Sequence, residues 1–280
     1  MEVPESDERE VRLELLRWVT PDETGEDLAQ RLARTNINLT TSLPFLDDLE
    51  WHNGKHQGYV DLELERQTRR RRRRVKIRAG QVLEICGGHA TCKTECLLQA
   101  AATCILPQAC GGCGRPALLI ANLSGFDPLR LVHILDTRIR KSKNAGLGHA
   151  MLEESLKRFQ LTRCYNNTDI LLALNQFGAS GCADLLLIDN ISAFYPQKTI
   201  SSQSEVYEAM GRCLQRLGVA VLVTKDMSTA LPKAWQQAVT YRVLLDANRN
   251  RKNTFTAKWD IPKLEKTFEF RVTDSHVCLL

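Results

Sequence analysis

The residues with the clearest chemical potential form the stretch Gly87-Gly88-His89-Ala90-Thr91-Cys92-Lys93-Thr94. A loop that binds nucleotide phosphates reads Gly, four residues, Gly, Lys and then Ser or Thr. Gly87, Lys93 and Thr94 stand at that spacing, whereas Cys92 replaces the second glycine of the pattern. The stretch is therefore predicted to be a phosphate-binding loop that has lost one of its glycines.

The surviving residues predict a site for a nucleotide with its magnesium ion. Lys93 can neutralise the outer phosphates, and the Thr94 hydroxyl can bind the metal. If position 92 has a positive φ, Cys92 costs roughly 1–3 kcal/mol there and crowds the phosphates, which weakens binding. Chance matches to so relaxed a pattern are common, so a loop without a ligand is the alternative. The candidate nucleotide-binding residues are Gly87, Gly88, Thr91, Cys92, Lys93 and Thr94.

The sequence around the loop supports this prediction. Residues 82–85 predict a short strand before the loop, and the residues from Lys93 onward place an apolar face on a helix after it. A second apolar run, 185–188, ends in Asp189, which is the form of a buried strand that delivers a magnesium ligand to a nucleotide site. Thr94 and Asp189 are the predicted magnesium ligands. The alternative for the second run is a core strand that is followed by an ordinary turn residue, since the sequence pattern would be the same.

The composition is that of a soluble globular protein with one main domain. The chain has 280 residues, of which 43% are hydrophobic and 25% charged, and no apolar run is long enough to cross a membrane. The first ten residues are acidic, unlike a secretory signal. Ten cysteines in such a chain predict reduced, mostly buried thiols rather than a disulfide framework, and a location in the cytosol or the nucleus.

The basic charge of the chain is concentrated in one run of six arginines. The net charge is +5, and without this run it would be slightly negative. The run predicts a nuclear import signal, a contact with a nucleic-acid backbone or a solvated linker, and no interleaved aromatic residue is present that would stack on bases. Its members are Arg69, Arg70, Arg71, Arg72, Arg73 and Arg74.

The pattern beyond residue 80 predicts an α/β fold. Segments with helical periodicity alternate with short apolar runs, which is typical of βαβ units with a mostly parallel central sheet. After Pro232 the pattern changes to strands alone, which predicts antiparallel C-terminal strands at one edge of the sheet. The predicted helices are 127–140, 151–159, 168–177 and 204–217, and the predicted strands are 82–85, 117–121, 161–164, 184–188, 219–224, 238–245, 254–259, 267–272 and 275–279.

With the loop, the aspartate strand and this order of elements, the chain resembles the RecA-type recombinase paralogues. The resemblance runs from residue 25 to Arg242, and its most specific part is Lys233-Ala234-Trp235-Gln236-Gln237. The other matching segments are 25–32, 80–85, 93–95, 104–107, 129–132 and 187–195. The resemblance implies a RecA-like P-loop core over residues 80–280 and a basic insertion or linker over 51–79. Residues 1–50 are predicted to form a short helical N-terminal extension, because the residue pattern favours helices at 11–19 and 26–34.

The resemblance implies a subunit of a recombinase-paralogue complex that supports homologous recombination and double-strand break repair in the nucleus. Another recombinase paralogue, of the D type, is the implied direct partner, and DNA is contacted through the complex. ATP with magnesium is the implied cofactor, bound weakly or not at all at the altered loop. The alternative is an ATP-switched, DNA-dependent ATPase that uses Lys93, Thr94 and Asp189.

Two positions depart from the active members of that family. Where those carry a carboxylate that activates water, this chain has Ala121 and Leu123. Where they carry a polar sensor of the γ-phosphate, a strand ends in Thr224-Lys225-Asp226, without a glutamine. Loss of the water-orienting group costs orders of magnitude in rate, so little or no hydrolysis is expected. Asp127 and Asp226 are candidate substitutes, although Asp127 is better explained as a helix cap.

The pair Cys110 and Cys113 offers a competing interpretation. A Cys-Gly-Gly-Cys-Gly turn is typical of a zinc knuckle, but no second pair with that spacing exists to complete a closed site. The missing ligands would have to come from His89, Cys92, Cys96 and Cys104. A redox pair is a second alternative, and a glycine-rich surface turn with incidental thiols is the preferred interpretation.

Overall fold

The computed structural model describes residues 38–47, 77–122, 126–142, 148–195, 200–248 and 250–280. The arginine run 69–74 and the helices predicted at 11–19 and 26–34 lie outside the described residues, as does Leu123. The division into extension, insertion and core therefore stays a prediction.

The described residues form strands and helices that alternate along most of the chain. The strands are β1 (Asn38–Leu39), β2 (Ile77–Arg78), β3 (Val82–Gly87), β4 (Ala117–Ala121), β5 (Phe159–Arg163), β6 (Leu185–Asp189), β7 (Ala220–Asp226), β8 (Tyr241–Ala247), β9 (Thr254–Ile261), β10 (Thr267–Val272) and β11 (Val277–Leu279). The helices are α1 (Pro44–Asp47), α2 (Lys93–Ile105), α3 (Pro128–Lys141), α4 (Gly148–Lys157), α5 (Asn167–Ser180), α6 (Ile200–Leu217) and α7 (Lys233–Ala238).

A nine-stranded sheet is the centre of the fold. Its strand order is β11-β10-β9-β8-β3-β7-β6-β4-β5. The pairs from β8 to β5 are parallel, and those from β8 to β11 are antiparallel. The prediction of an α/β, RecA-like core with a mostly parallel sheet and antiparallel C-terminal strands is confirmed.

Helices cover both faces of the parallel part of the sheet, which explains why its strands are nearly continuous apolar runs. Every residue of β4 and of β6 is buried, as expected for strands that pack on two sides. One hydrophobic cluster joins alternate strand residues such as Leu83 to α2 and α3, and the second joins residues such as Val82 to α5 and α6. This packing on both faces fixes the C-terminal ends of β3, β6 and β7 at one edge of the sheet.

The prediction that only strands follow Pro232 is wrong. The six-residue helix α7 begins at Lys233 and buries Trp235 completely, and the strand predicted from residue 238 starts instead at Tyr241. A helix this short contains one large buried side chain, so it has no periodicity for a sequence pattern to detect. Helix α7 lies against α6, and its Trp235 belongs to the second hydrophobic cluster.

The first described segment, 38–47, packs on the same core as the sheet. The ring of Phe45 lies 4.8 Å from that of Phe270 on β10, and the indole Nε1 of Trp259 donates a hydrogen bond to the Phe45 carbonyl at 2.9 Å. β1 pairs with β2 in an antiparallel arrangement. The segment 38–47 therefore contributes directly to the core under the C-terminal strands.

All ten cysteines lie in the described part of the chain and are free thiols. The prediction that most are buried is wrong, since only Cys86, Cys96, Cys104 and Cys164 are buried. No described helix is both long enough and apolar enough to cross a membrane.

Asp127 caps helix α3, as the sequence predicts. Its Oδ1 accepts a hydrogen bond from the backbone N–H of Leu129 at 2.9 Å, and Pro128 occupies the first helical position. We expect Asp127→Ala to lower the free energy of unfolding by about 1 kcal/mol, because the alanine leaves that N–H without its partner. Urea denaturation measures the change. Asp127→Ser, which keeps a capping oxygen, should stay close to wild type, and equal losses for both variants would contradict the cap.

Candidate nucleotide site

The predicted phosphate-binding loop connects β3 to α2, and the space around its first glycine, Gly87, leaves no room for a side chain. A Cβ on Gly87 would lie 2.2 Å from Thr91 Oγ1 and 3.0 Å from the carbonyl oxygen of Leu245. Thr91 is buried, and its hydroxyl donates to the Gly88 carbonyl at 3.0 Å. A Cβ on Gly88 would meet nothing within 4 Å. The loop is thus tight at Gly87 and open at Gly88, where a phosphate could approach the backbone.

Cys92 adopts the left-handed conformation that the missing glycine would tolerate without strain. Its φ is 57° and its ψ is 20°, and it caps α2 without a side-chain hydrogen bond. A side chain in this region costs about 1–2 kcal/mol. The half-buried Cys92 side chain packs against the hydrophobic core under α2. A hydrogen bond with Cys96, together with burial, raises the pKa of the Cys92 thiol, so this thiol stays protonated.

The ammonium group of Lys93 is folded back into the loop. Its Nζ donates to the Gly87 carbonyl at 2.8 Å and also to the Gly88 carbonyl. Burial lowers the pKa of Lys93, and the negative charges of Asp226 and Asp189 oppose that effect. The lysine is therefore a partly desolvated cation that the loop carbonyls and two carboxylates already stabilise.

The two predicted magnesium ligands lie in contact. Asp189, at the end of β6, is 6% exposed, and its carboxylate accepts hydrogen bonds from Thr94 Oγ1 at 3.1 Å and from Thr224 Oγ1 at 2.7 Å. Burial raises the pKa of Asp189, while the hydrogen bonds from Thr224 and Thr94 lower it. A hydroxyl and a carboxylate brought together at a helix N-terminus are ligands that suit Mg²⁺. That the pair binds the metal stays a prediction.

Ala121 is one of the two positions at which the predicted resemblance implies a water-activating carboxylate. Ala121 ends β4, is 1% exposed and lies in register with Asp189 on the neighbouring strand. Its methyl group has no means of orienting or deprotonating a water molecule. The candidate substitute Asp127 is occupied as a helix cap.

The other candidate substitute, Asp226, lies at the loop. It ends β7 in register with Gly87 and accepts hydrogen bonds from the Ser228 N–H at 2.9 Å and the Ser228 hydroxyl at 2.6 Å. These hydrogen bonds lower the pKa of Asp226. Ser192 Oγ accepts the backbone N–H of Asp226 at 3.0 Å and donates to Asn190 Oδ1 at 2.7 Å. The loops after β6 and β7 are therefore joined behind the site.

Sequence reasoning missed the polar side chains that hold α2 in place. Glu95, in its first turn, pairs with Arg130 of α3 at 2.7 Å. Deeper along the helix, Arg138 donates to Thr103 Oγ1 at 2.7 Å and to the Gln99 side chain, and burial lowers the pKa of Arg138 to about 10. An arginine on the apolar face of α3 was the available signal, because such a residue is buried only with partners.

The described residues fit the phosphates and metal of a nucleotide. Gly88 leaves open space, Lys93 supplies a cation, and Thr94 with Asp189 supplies metal ligands at the start of the 13-residue helix α2. A helix N-terminus adds a favourable dipole for anions. Cys92 opposes binding, because it holds the loop in a strained and packed conformation.

The two cysteines of the candidate zinc turn contact different neighbours. Cys110 Sγ lies 3.4 Å from Ser142 Oγ and 3.5 Å from Met151 Sδ, whereas Cys113 Sγ lies 3.5 Å from Thr40 Oγ1. Within the ranges that the structure describes, no three His, Cys, Asp or Glu side chains converge as a metal site would require. The structure does not bring these thiols together with His89, Cys92 or Cys96.

Two known proteins are similar to this chain in sequence. A protein of Arabidopsis thaliana named DNA repair protein XRCC2 homolog is 29% identical over 196 residues, which is 56% of this chain. The mouse DNA repair protein XRCC2 is 27% identical over 214 residues, 62% of this chain and 75% of the mouse protein. The chain is XRCC2-like. The predicted resemblance to this type of recombinase paralogue is thereby confirmed.

The match is partial in length. The aligned region spans 53% of the Arabidopsis protein. No protein-family model matches the chain. The similarity therefore rests on individual relatives, both of which are named as DNA repair proteins.

Proposed function

We propose that the chain is a nuclear subunit of a recombinase-paralogue complex that supports homologous recombination and double-strand break repair. The observation that carries the proposal is the similarity to two proteins named for XRCC2 and DNA repair, on a chain whose sheet is RecA-like. Its direct partner is another recombinase paralogue, of the D type, and it reaches DNA through the complex. The arginine run 69–74 acts in nuclear import or on the DNA backbone.

In this proposal the nucleotide site is degenerate and hydrolyses little or no ATP. Phosphoryl transfer depends on oriented water and on stabilisation of charge. Ala121 stands beside Asp189 with no acid or base function, and Lys93 is already compensated by loop carbonyls and carboxylates. When bound, ATP with magnesium would supply the phosphates and the metal ion. Lys93 would hold the outer phosphates, and Thr94 with Asp189 the ion.

One observation favours the alternative of an ATP-switched, DNA-dependent ATPase. Thr94 and Asp189 are in hydrogen-bond contact, as expected if they bind magnesium together. A switch of this kind needs the charge of Lys93 to sense the phosphates. Removal of that charge separates the two functions, because a docking surface does not depend on it.

Replacing Lys93 by alanine is expected to leave the recovery of a recombinase paralogue with the tagged chain unchanged. The docking surface belongs to the folded core, and the ammonium makes only local contacts within the loop. The measurement is affinity purification of the tagged full chain from its own cells, followed by identification of the bound proteins. Lys157→Ala, which removes an exposed lysine of α4, is the matched control.

Each outcome of that purification decides between the functions. Recovery of a paralogue by wild type, Lys93→Ala and Lys157→Ala alike supports the nucleotide-independent subunit. Loss with Lys93→Ala alone supports the ATP switch and contradicts the degenerate site. If no form recovers a recombinase relative, the proposed complex membership fails.

A further inference from the structure

One backbone oxygen connects Lys93 to the end of β7. The carbonyl oxygen of Gly87 accepts the Lys93 ammonium at 2.8 Å and also the backbone N–H of Met227 at 3.1 Å. Met227 directly follows Asp226, which is itself in register with Gly87. The Lys93 ammonium and the backbone that directly follows Asp226 therefore bind the same carbonyl oxygen, that of Gly87.

Asp226 is held in this position from three sides. Strand pairing fixes its backbone beside Gly87, Ser192 Oγ accepts its N–H at 3.0 Å, and Ser228 donates two hydrogen bonds to its carboxylate. Those bonds favour the ionised form and lower the pKa of Asp226. The negative charges of Asp226 and Asp189 both favour the charged form of Lys93 and oppose the lowering of its pKa by burial. The Lys93 ammonium, bound by the loop carbonyls, therefore lies within electrostatic reach of carboxylates at the ends of β6 and β7.

Lys93 attracts the phosphates of a nucleotide, whereas the carboxylate of Asp226 repels a phosphate that lies beside it. In a phosphate-binding loop the lysine reaches the outermost phosphates. Asp226, whose backbone lies beside Gly87 and whose charge acts on Lys93, would therefore lie on the γ-phosphate side. Asp189 is paired with Thr94 and Thr224 and has a metal to bind in the proposed site. Asp226 has no such role, and its charge opposes each further negative charge that arrives beside Lys93.

We propose that Asp226 makes the site prefer nucleoside diphosphates to nucleoside triphosphates. The inference rests on the nucleotide-binding part of the proposed function. A diphosphate leaves the space next to Asp226 free of a third phosphate, whereas a triphosphate places its most charged group there. The preference distinguishes this chain from an ATP-switched enzyme, in which the triphosphate form must be the tighter ligand.

The test compares the affinities of purified full-length wild type and of Asp226→Asn for ADP and ATP, each with Mg²⁺, by isothermal titration calorimetry. We expect wild type to bind ADP about tenfold more tightly than ATP. We expect Asp226→Asn to bind ADP and ATP with affinities within about twofold of each other, because the repulsion between the Asp226 carboxylate and the γ-phosphate has been removed. Asp136→Asn removes the same charge from the exposed surface of α3 and should keep the tenfold preference. Unchanged thermal midpoints of all three forms confirm that they are folded.

Three results would overturn the inference in distinguishable ways. Equal or tighter binding of ATP by wild type removes the preference while leaving a functional nucleotide site. A preference for ADP that survives in Asp226→Asn assigns it to other residues. Failure of the folded wild type to bind either nucleotide removes the nucleotide site altogether, whereas complex membership is still decided by the purification with Lys93→Ala.

Discussion

Replacing Glu84 by alanine is expected to lower the free energy of unfolding by about 3–5 kcal/mol, which is a large part of the stability of a domain. Glu84 is fully buried in β3. Its carboxylate accepts a hydrogen bond from Trp235 Nε1 at 2.6 Å and another from Arg242 Nε at 2.6 Å. The truncation leaves a largely buried guanidinium whose remaining carboxylate, Asp260, lies 3.4 Å away and is more exposed. It also leaves an indole N–H without its acceptor.

Urea denaturation of three variants checks this expectation. Glu84→Gln keeps an oxygen for the indole N–H but loses the charge opposite Arg242, so an intermediate loss of about 2 kcal/mol is expected. Glu205→Ala removes an exposed glutamate of α6 and should change the free energy by less than about 0.5 kcal/mol. A loss below 1 kcal/mol for Glu84→Ala would mean that water or a rearranged side chain replaces the carboxylate.

Glu84 also connects stability to the nucleotide site. It lies three residues before Gly87 on the strand that delivers the loop, and its partners come from α7 and β8. Trp235 and Arg242 lie in different elements, and their shared contact with Glu84 joins those elements to β3. The cluster fixes β3 against its neighbours, so the loop starts from a rigid strand.

The sequence predicts the parallel part of the fold because each element there has a local signal. Apolar runs flanked by helical periodicity define β3, β4, β6 and β7, and the rule that parallel strands end at the same edge places Thr94 near Asp189. The structure has these two residues 3.1 Å apart. The candidate site is predictable to this extent because Thr94 lies in the first turn of α2 and Asp189 ends β6, and both elements have a clear local pattern.

The remaining features depend on contacts between distant parts of the chain. Phe45 packs on Phe270 of β10, far away in the sequence, and no local pattern encodes that contact. Helix α7 is too short to show periodicity. The buried Arg138 gains its partners from α2 and from the carbonyl of Ser275 near the C-terminus. In the sequence Arg138 is visible only as a charged residue on an otherwise apolar helix face, and nothing indicates where its partners lie.

Replacing Cys92 by glycine is expected to raise the affinity for nucleotide about tenfold and the free energy of unfolding by about 1 kcal/mol. Glycine adopts the observed φ of 57° without strain, and it removes a side chain that packs against the core and contacts Cys96. Binding requires Lys93 to leave the Gly87 and Gly88 carbonyls for a phosphate. The adjacent backbone must then adjust, and a packed Cβ at position 92 resists this movement.

Cys92→Ala separates the backbone effect from that of the sulfur atom. Alanine keeps the Cβ and therefore the left-handed strain, so its nucleotide affinity should stay within about threefold of wild type. Calorimetric titration with ADP and thermal unfolding of the same samples give both quantities. If glycine and alanine raise the affinity equally, the thiol rather than the backbone limits binding. If neither variant binds more tightly than wild type, Cys92 is not what weakens the site.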